Sequence, residues 1–229
     1  QAIRTARNKG IQIQFGGAEL LDDFSALMKK TENRKNIHLR GKDYYQKLLD
    51  TYPEHSYITL SSINLKARLE DLQAQLTKAL KEAEKFTEKT KPGKIENNQQ
   101  EQKRLQEEID FLQDKISQGA AVVPLSGTLV LEYGKTSENI YAGMDEEYRR
   151  YQPAIITWYE TAKHAFERGA DWQNMGGIEN DLKGGLYSFK SKFNPTIEEF
   201  AGEFNLPTNP LYHLSNLAYT LRKKLRSKH

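Results

Sequence analysis

Two heptad repeats joined by a short turn constrain the fold of this chain more than any other feature. In the first repeat, side chains step by four and three residues in alternation: Leu65, Leu69, Leu72, Leu76, Ala79, Ala83 and Phe86. After the Lys91-Pro92-Gly93 turn, the same steps resume: Ile95, Asn98, Gln102, Leu105, Ile109, Leu112 and Ile116. A seam with this spacing requires a partner helix, and a partner is present in the same chain. The sequence therefore predicts an antiparallel coiled-coil hairpin over residues 65–118.

The predicted hairpin is a long arm with a weaker tip. At about 1.5 Å rise per residue, two helices of roughly 25 residues would project about 35 to 40 Å from the body. Ala83, Asn98 and Gln102 replace large apolar side chains near the turn, and we expect that end to be packed less firmly.

The segment before the arm has the pattern of an α/β domain. Apolar and polar residues alternate from Ile11 to Phe15 until Gly16-Gly17 ends the pattern, which predicts a strand and a turn. Helical spacing follows at Leu20, Leu21, Phe24, Leu27 and Met28 and again around Tyr44, Leu48 and Leu49, ending at Pro53. Residues Tyr57 to Leu60 predict a second strand.

The segment after the arm returns to the same domain. We predict the following elements: strands at Ala121–Leu125 and Thr128–Tyr133 around a Ser126-Gly127 turn, a long helix from Asp145 to Arg168 with Gly169 at its C-cap, a strand near Ala170–Met175, a helix or turn around Leu182–Phe189, a strand at Phe200–Phe204, and a helix from Leu211. Strands on both sides of the arm make it an insertion. Residues 1–64 and 119–229 should therefore form one discontinuous α/β (α+β) subdomain.

Composition excludes several classes of protein and favours none. The 229 residues carry 34 basic and 31 acidic side chains, a net charge of +3, so the chain as a whole does not resemble a nucleic-acid coat. Cysteine is absent, which removes thiol nucleophiles and suits a reducing compartment. No apolar run approaches the roughly 20 residues that span a bilayer. We expect the cytoplasm, and because the chain begins at Gln1 inside a basic stretch we expect a piece of a longer protein.

Metal and nucleotide motifs are missing. The histidines at 38, 55, 164 and 213 have no metal-ligand spacing, so we expect no metal and no cofactor. The glycine pairs at 176–177 and 184–185 do not have the spacing of a phosphate loop. The pyrophosphate loop of CoA-dependent N-acyltransferases is also absent, which argues against a CoA donor.

Four segments in order resemble the Fem family of non-ribosomal peptidyltransferases, of the FemA, FemX, MurM and MurN type. In chain order they are Arg40–Tyr45, Tyr141-Ala142-Gly143, Gly185–Phe193 and Ile197–Phe204. The resemblance implies the C-terminal portion of such a protein: the second of two GNAT-like acyltransferase subdomains, carrying the helical arm.

The resemblance also implies an activity. A Fem-type enzyme transfers an amino acid (Ala, Ser or Gly) from aminoacyl-tRNA to the stem-peptide lysine or an existing branch of a peptidoglycan precursor. The expected partners are aminoacyl-tRNA, a lipid-linked or UDP-linked muropeptide and related transferases as oligomer partners. Peripheral contact with the inner face of the plasma membrane of a Gram-positive bacterium is a further expectation.

The resemblance places catalytic roles on Lys190 and Phe189. A fixed cation would stabilise the negative charge that develops on the carbonyl and leaving oxygens, and Phe189 would shape the pocket and exclude water. The alternative is that Lys190 is an ordinary exposed lysine on the wet face of a strand or turn.

Arg40, Tyr44 and Tyr141 are the candidate substrate-binding residues. The Arg40 guanidinium could bind phosphate or carboxylate through two hydrogen bonds. The hydroxyl of Tyr141, at the end of a strand, could reach the peptide. The alternative for the first two is that Arg40 caps or pairs at a helix start and Tyr44 packs beneath it; the alternative for Tyr141 is a core aromatic.

A second class of function remains open. The arm could be a non-catalytic module that binds tRNA or a partner protein. The basic run from Arg222 to Lys228 is in the first instance a helix end whose cations complement the dipole, with contact to tRNA phosphates or anionic lipid as the alternative.

Overall fold

The computed structural model describes residues 1–202, 204–209 and 211–226. Five strands form one sheet in the order of the chain: β1 (Ile11–Gly16), β2 (Ser56–Asn64), β3 (Val122–Tyr133), β4 (Thr136–Met144) and β5 (Trp172–Asn174). The first four strands are antiparallel neighbours, and β5 pairs with β4 in parallel. The strands expected at Ile11–Phe15 and Tyr57–Leu60 are confirmed within β1 and β2.

Eight α-helices accompany the sheet in the described residues: α1 (Ala2–Asn8), α2 (Leu21–Lys35), α3 (Lys42–Thr51), α4 (Leu65–Ala83), α5 (Pro92–Ser117), α6 (Pro153–Glu167), α7 (Gly185–Lys190) and α8 (Leu211–Arg226). Short 3-10 helices lie at Ala18–Leu20, Glu146–Tyr151 and Ser191–Phe193. The predicted helices α2, α3 and α8 are confirmed. Helix α1 was missed, because its basic polar sequence hides a single buried residue, Ala6.

The two faces of the sheet are covered by different helices. On one face, α2 and α3 pack against alternate strand residues, among them Ile58, Leu60 and Leu129. The residues between them point to the other face, where the Thr128 hydroxyl bonds the Thr161 hydroxyl of α6 at 3.1 Å. Strand alternation thus builds one apolar layer under α2 and a second layer under α6.

Helices α4 and α5 form an antiparallel hairpin inserted between β2 and β3. At its base the Leu65 N–H donates to the Ala121 carbonyl at 2.9 Å, and near its tip the Asn98 side chain donates to the Ala79 carbonyl at 3.0 Å. A pair of helices lies where the hairpin was predicted, and the coiled-coil character of that pair remains a prediction.

The first helix of the arm is shorter than predicted, and less of the arm projects away from the domain than predicted. Helix α4 ends at Ala83, so Phe86 lies outside it; a turn closed by Thr87 and Thr90 follows. Its 19 residues span about 28 Å at ~1.5 Å per residue. The lower half of the hairpin belongs to the domain core, because its leucines and Ile109 cluster with Ile63 and Leu125 of the sheet.

Strand β3 is continuous where a turn was expected. Gly127 pairs with Leu60 inside the strand, and a Cβ at Gly127 would lie 3.0 Å from the Phe24 ring. The glycine therefore marks a close approach of α2 to the sheet. Pro124 stands beside an extra residue, Leu125, in the register with β2, which is where a strand accepts proline.

The long helix expected from Asp145 to Arg168 is broken. A 3-10 helix ends at Tyr151, Gln152 follows with a φ of +57°, and α6 begins at Pro153. Proline disfavours the α conformation in the residue before it, so the break falls there. Gly169, with φ +98°, follows the end of α6 as predicted.

The remaining expectations are met in part. The strand near Ala170–Met175 exists as the three residues of β5, and the helix or turn near Leu182–Phe189 is α7. Residues 200–202 and Phe204 have no regular structure, so the predicted strand there is wrong for the described residues, and Glu203 lies outside them.

The chain divides into two compact units, Gln1–Phe189 and Lys190–His229. The sheet, the hairpin and α1 to α6 belong to the first unit, and α8 belongs to the second. Within the described residues, none of the helices combines the length and apolar character that crossing a bilayer demands.

Candidate functional site

The structure brings Arg40, Tyr44 and Tyr141 together. The Arg40 guanidinium carbon lies 5.1 Å from the centroid of the Tyr44 ring. The rings of Tyr44 and Tyr141 meet edge to face, with centroids 6.2 Å apart. Tyr45 completes the group, with its ring centroid 5.1 Å from that of Tyr141. These four residues are called the tyrosine cluster below.

Helix α3 supplies two members of the cluster, Tyr44 and Tyr45, and Arg40 lies just before the helix begins. Arg40 precedes Gly41, the N-cap of α3, and the first turn carries Tyr44 and Tyr45 on different faces. Tyr45 is buried against Phe24, with ring centroids 5.3 Å apart, whereas Tyr44 is 39% exposed. The Tyr45 ring therefore fixes the helix, and the exposed pair of Arg40 and Tyr44 is available to a ligand.

A β-bulge aims Tyr141 at the cluster. Leu129 pairs with Tyr141 and Val130 pairs with Asn139, so Ile140 is an extra residue in β4. Residues two apart in a regular strand face the same side; across this bulge Asn139 and Tyr141 face opposite sides. The expectation that Tyr141 ends a strand is wrong, because β4 continues to Met144.

Gly143 lets α2 approach the strand that carries Tyr141. A Cβ at Gly143 would lie 2.9 Å from the carbonyl carbon of Leu27. The Met144 N–H donates to the Thr31 hydroxyl at 3.1 Å, and Lys30 forms an ion pair with Asp145. The Tyr-Ala-Gly segment thus positions β4 on α2 and places Tyr141 next to α3.

The cluster is a set of neutral phenols beside one fixed cation. Burial raises the pKa of Tyr45 to about 12, with further contributions from Tyr141 and Glu32. Burial also raises the pKa of Tyr141; Tyr44 adds to the rise and Arg40 opposes it. Both phenols keep their protons at neutral pH and can donate hydrogen bonds. A guanidinium with phenol donors suits an anionic group such as phosphate or carboxylate.

Phe189 and Lys190 lie at the end of α7, on either side of the boundary between the units. The Phe189 ring packs edge to face on Trp158 of α6, with centroids 5.3 Å apart. Lys190 is only 7% exposed. The alternative that it is an exposed lysine on a strand or turn is therefore wrong.

Sequence reasoning missed Tyr45. Its hydroxyl is buried and has no hydrogen-bond partner among the described residues. The available signal was the spacing of Tyr45 and Leu49, four residues apart on the buried face of α3.

A separate cleft of about 740 Å³ opens at one end of the sheet. Phe15 and His164 stack in its wall with ring centroids 4.0 Å apart, and Glu132 pairs with Arg168 at 3.0 Å. Its lining includes none of the five candidate catalytic or substrate-binding residues. Among the residues that the structure describes, no group of His, Cys, Asp or Glu could hold a metal ion.

The fold is that of a mixed α/β protein with an inserted helical hairpin, and the tyrosine cluster places one guanidinium beside three phenols. Comparison with known proteins identifies the family: residues 1–220 match the FemAB family, and the chain belongs to it.

Curated relatives carry one name. The lipid II:glycine glycyltransferase of Staphylococcus epidermidis is 29% identical over 227 residues, which are 93% of this chain and 54% of the relative. Those of Staphylococcus saprophyticus and Staphylococcus haemolyticus are 29% and 26% identical, with the same coverage. The chain thus spans about half the length of the curated relatives it matches.

A solved structure shares the fold. The crystal structure of FemX superposes with a TM-score of 0.58 and 22% identity, covering 83% of this chain and 51% of that one. The likeness supports the arrangement of sheet and helices described above.

Proposed function

We propose that this chain is part of an aminoacyltransferase that adds an amino acid from aminoacyl-tRNA to a peptidoglycan precursor during interpeptide-bridge synthesis. The FemAB match over residues 1–220 carries the proposal. Relatives whose match covers 93% of this chain are named lipid II:glycine glycyltransferases. That name supports a peptidoglycan precursor as acceptor.

The proposed reaction requires no covalent enzyme intermediate. The acceptor amine attacks the ester carbonyl of aminoacyl-tRNA, an amide bond forms, and the ester C–O bond breaks. The tRNA hydroxyl leaves and takes a proton, and the amine loses one. The protein must align the two substrates and stabilise negative charge on the carbonyl and leaving oxygens.

The site residues divide this work in our proposal. Arg40 and Tyr44 bind an anionic part of the acceptor, and Tyr141 donates from its neutral phenol. Lys190 supplies the cation beside the ester carbonyl, and Phe189 excludes water.

The partners follow from the same proposal. The donor is Ala-, Ser- or Gly-tRNA, and the acceptor is a lipid-linked or UDP-linked muropeptide. A GNAT-like subdomain, peripheral contact with the cytoplasmic face of the membrane of a Gram-positive bacterium, and assembly with related transferases are parts of the proposal.

The test is transfer of label by the complete protein that contains this chain. It is incubated with a lysine-containing muropeptide and total tRNA charged with labelled Ala, Ser or Gly, with and without ribonuclease. Label that reaches the muropeptide only when tRNA is intact supports the proposal and names the amino acid. Transfer that survives ribonuclease contradicts a tRNA donor.

A second candidate function is a tRNA- or protein-binding module without catalysis. The observation that favours it is a groove of about 730 Å³ near the hairpin tip, lined by Lys78, Lys81, Lys85 and Lys94 beside Phe86. Clustered lysines of this kind bind phosphates through a salt-dependent attraction.

Charge reversal tests the module. Lys81→Glu with Lys85→Glu should abolish a gel shift of tRNA, whereas Lys163→Glu on α6 should leave it unchanged. If the complete protein transfers no amino acid while the wild-type chain shifts tRNA, the module replaces the transferase. A shift that the double reversal leaves intact removes the hairpin from tRNA binding.

A further inference from the structure

Strand β4 continues beyond the strand that pairs with its outer edge. The parallel pairing of β4 with β5 covers only three positions and ends where Glu138 meets Asn174. Strand β4 continues to Met144, and in the described part of the chain no strand lies beside residues 139–144 on that side. Strand β5 itself ends at Asn174; the point at Asn139 where the outer edge of β4 loses its strand neighbour is called the fork below.

The backbone beyond the fork presents free hydrogen-bonding groups. The Met144 N–H donates to Thr31 of α2 at 3.1 Å, so it points away from β3. Backbone groups of residues two apart in a strand point the same way. The N–H and C=O of Ala142 therefore also point outward, and no hydrogen bond from the described residues reaches them.

Each of two side-chain amides at the fork, those of Asn139 and Gln173, has one buried atom without a hydrogen-bond partner among the described residues. The Gln173 side-chain nitrogen lies 3.4 Å from the Asn139 side-chain oxygen, a weak contact. The remaining Asn139 Nδ2 and Gln173 Oε1 atoms are buried and have no hydrogen bond among the described residues. Asn139 is only 8% exposed. A buried amide group that forms no hydrogen bond is costly, and it marks a place where a ligand group can pair.

We propose that the fork binds an extended peptide segment of the acceptor. The β4 edge at residues 140–142 would pair with the peptide backbone as an added strand. Asn139 and Gln173 offer one donor and one acceptor, the complement of a peptide group, and turn toward it when it binds. This inference rests on the proposed function and assigns the part of the site that would bind the peptide.

The position of the fork favours the substrate over a second copy of the chain. Tyr141, in the tyrosine cluster, is the neighbour of Ala142 on β4, so a peptide on the edge lies next to the proposed anion site. Edge-to-edge pairing of two copies needs a long flat edge, and the bulge at Ile140 twists this short one.

The test is a titration of the isotope-labelled chain with acetyl-Lys-D-Ala-D-Ala, followed by amide NMR. We expect saturable shifts of the amides of residues 140–142 and of the Asn139 and Gln173 side-chain amides. Absence of shifts there at saturating peptide overturns the inference. Edge shifts that depend on protein concentration without peptide also overturn it, because they show pairing between copies.

Two variants separate binding from folding. Ala142→Pro removes an N–H that is not used by β3, so the sheet should persist while the peptide binds roughly tenfold more weakly. Ala142→Ser keeps the N–H and should bind within about twofold of wild type. Equal affinity of the proline variant and the wild type contradicts the proposal.

Gln173→Met gives an independent readout. It removes an amide whose oxygen has no partner and whose nitrogen makes only long contacts, to the Asn139 side-chain oxygen at 3.4 Å and to the Asn174 carbonyl at 3.3 Å. The melting temperature should therefore fall little, whereas the peptide should bind roughly threefold more weakly. A lower melting temperature with unchanged affinity shows a purely structural role and overturns the assignment.

The outcomes for the two proposals can be told apart. If the complete protein transfers label but the fork variants keep wild-type peptide affinity, only this inference fails. If the peptide binds at the fork but no label is transferred, the proposed function is contradicted instead.

Discussion

Lys190 is a buried residue, and the task proposed for its ammonium group is electrostatic. In the complete protein, Lys190→Ala should lower kcat by roughly 100-fold or more and change the KM for the acceptor little, because the charge it stabilises develops in the transition state. Transfer of labelled amino acid to a muropeptide measures both constants.

Lys192 is the matched control for this prediction. It lies two residues further along and is exposed, so Lys192→Ala should keep wild-type kcat. A melting curve for each variant separates loss of catalysis from loss of fold. Unchanged turnover in a folded Lys190→Ala protein would remove Lys190 from the mechanism.

His164 should make stability depend on pH. Burial and the Arg168 guanidinium lower the pKa of His164 below its ordinary value of 6.5, against smaller opposing effects of Glu132 and Glu167. The unfolded chain therefore binds a proton at higher pH than the folded chain. The stabilisation from neutral His164 is present above about pH 6.5 and is lost as the pH falls through the lowered pKa.

Urea unfolding at about pH 7.5 and 5.5 measures this effect. His164→Phe keeps the stack on Phe15 and should reduce the loss of unfolding free energy between the two pH values. His38, whose side chain is 97% exposed, provides the control, and His38→Gln should leave the pH dependence as in wild type. The prediction is wrong if both variants behave alike.

Single residues of the site could be predicted to different extents. Arg40, Tyr44 and Tyr141 were singled out from sequence and do lie together. The β-bulge that turns Tyr141 toward the cluster could not be predicted, since a single extra residue in a strand produces no recognisable hydrophobic pattern. Asn139 was missed because an asparagine in a strand carries no sequence signal of burial.

At the scale of elements, Gly143 sets the distance between α2 and β4. Gly143→Ala should destabilise the chain by about 1–3 kcal/mol, since the added methyl meets the Leu27 backbone, which cannot move aside as a side chain could. Denaturant unfolding measures the loss. Gly93→Ala is the control: a Cβ at Gly93 in α5 meets nothing within 4 Å and should stabilise by up to about 1 kcal/mol.

Periodicity predicted most elements, and the failures have physical causes. Ser126-Gly127 has the composition of a turn, but Gly127 is needed because Phe24 packs on it. The helix expected from Asp145 to Arg168 shows an unbroken apolar pattern, yet Pro153 divides it. In both cases a tertiary contact or one backbone restriction prevailed over a local pattern.

At the scale of the whole molecule, the outer half of the hairpin should be dispensable for folding. Joining Ala79 to Asn98 through a short Gly-Ser linker, in place of residues 80–97, keeps the helix turns that pack on the sheet. The Asn98 side chain already bonds the Ala79 carbonyl, so the gap is small. We expect the unfolding free energy to change by less than about 1.5 kcal/mol, since only a loop is re-formed.

Urea unfolding and amide NMR of the sheet check this prediction. The sheet amides should keep their chemical shifts, because none of the removed residues belongs to the hydrophobic cluster that packs on the sheet. A non-cooperative transition or widespread shifts would show that the tip supports the core. In the transfer assay, the shortened protein distinguishes a tip that binds tRNA from one that does not.

The pairing of Asn64 with Val122 at the base of the hairpin has a consequence for engineering. The two ends of the inserted arm leave the sheet from neighbouring strands, which lie about 5 Å apart. Any foreign domain with adjacent termini could be spliced between them without stretching the sheet. A fluorescent reporter or a drug-binding domain inserted at this junction would be attached to the sheet at both ends. A conformational change in the inserted domain would therefore act on β2 and β3.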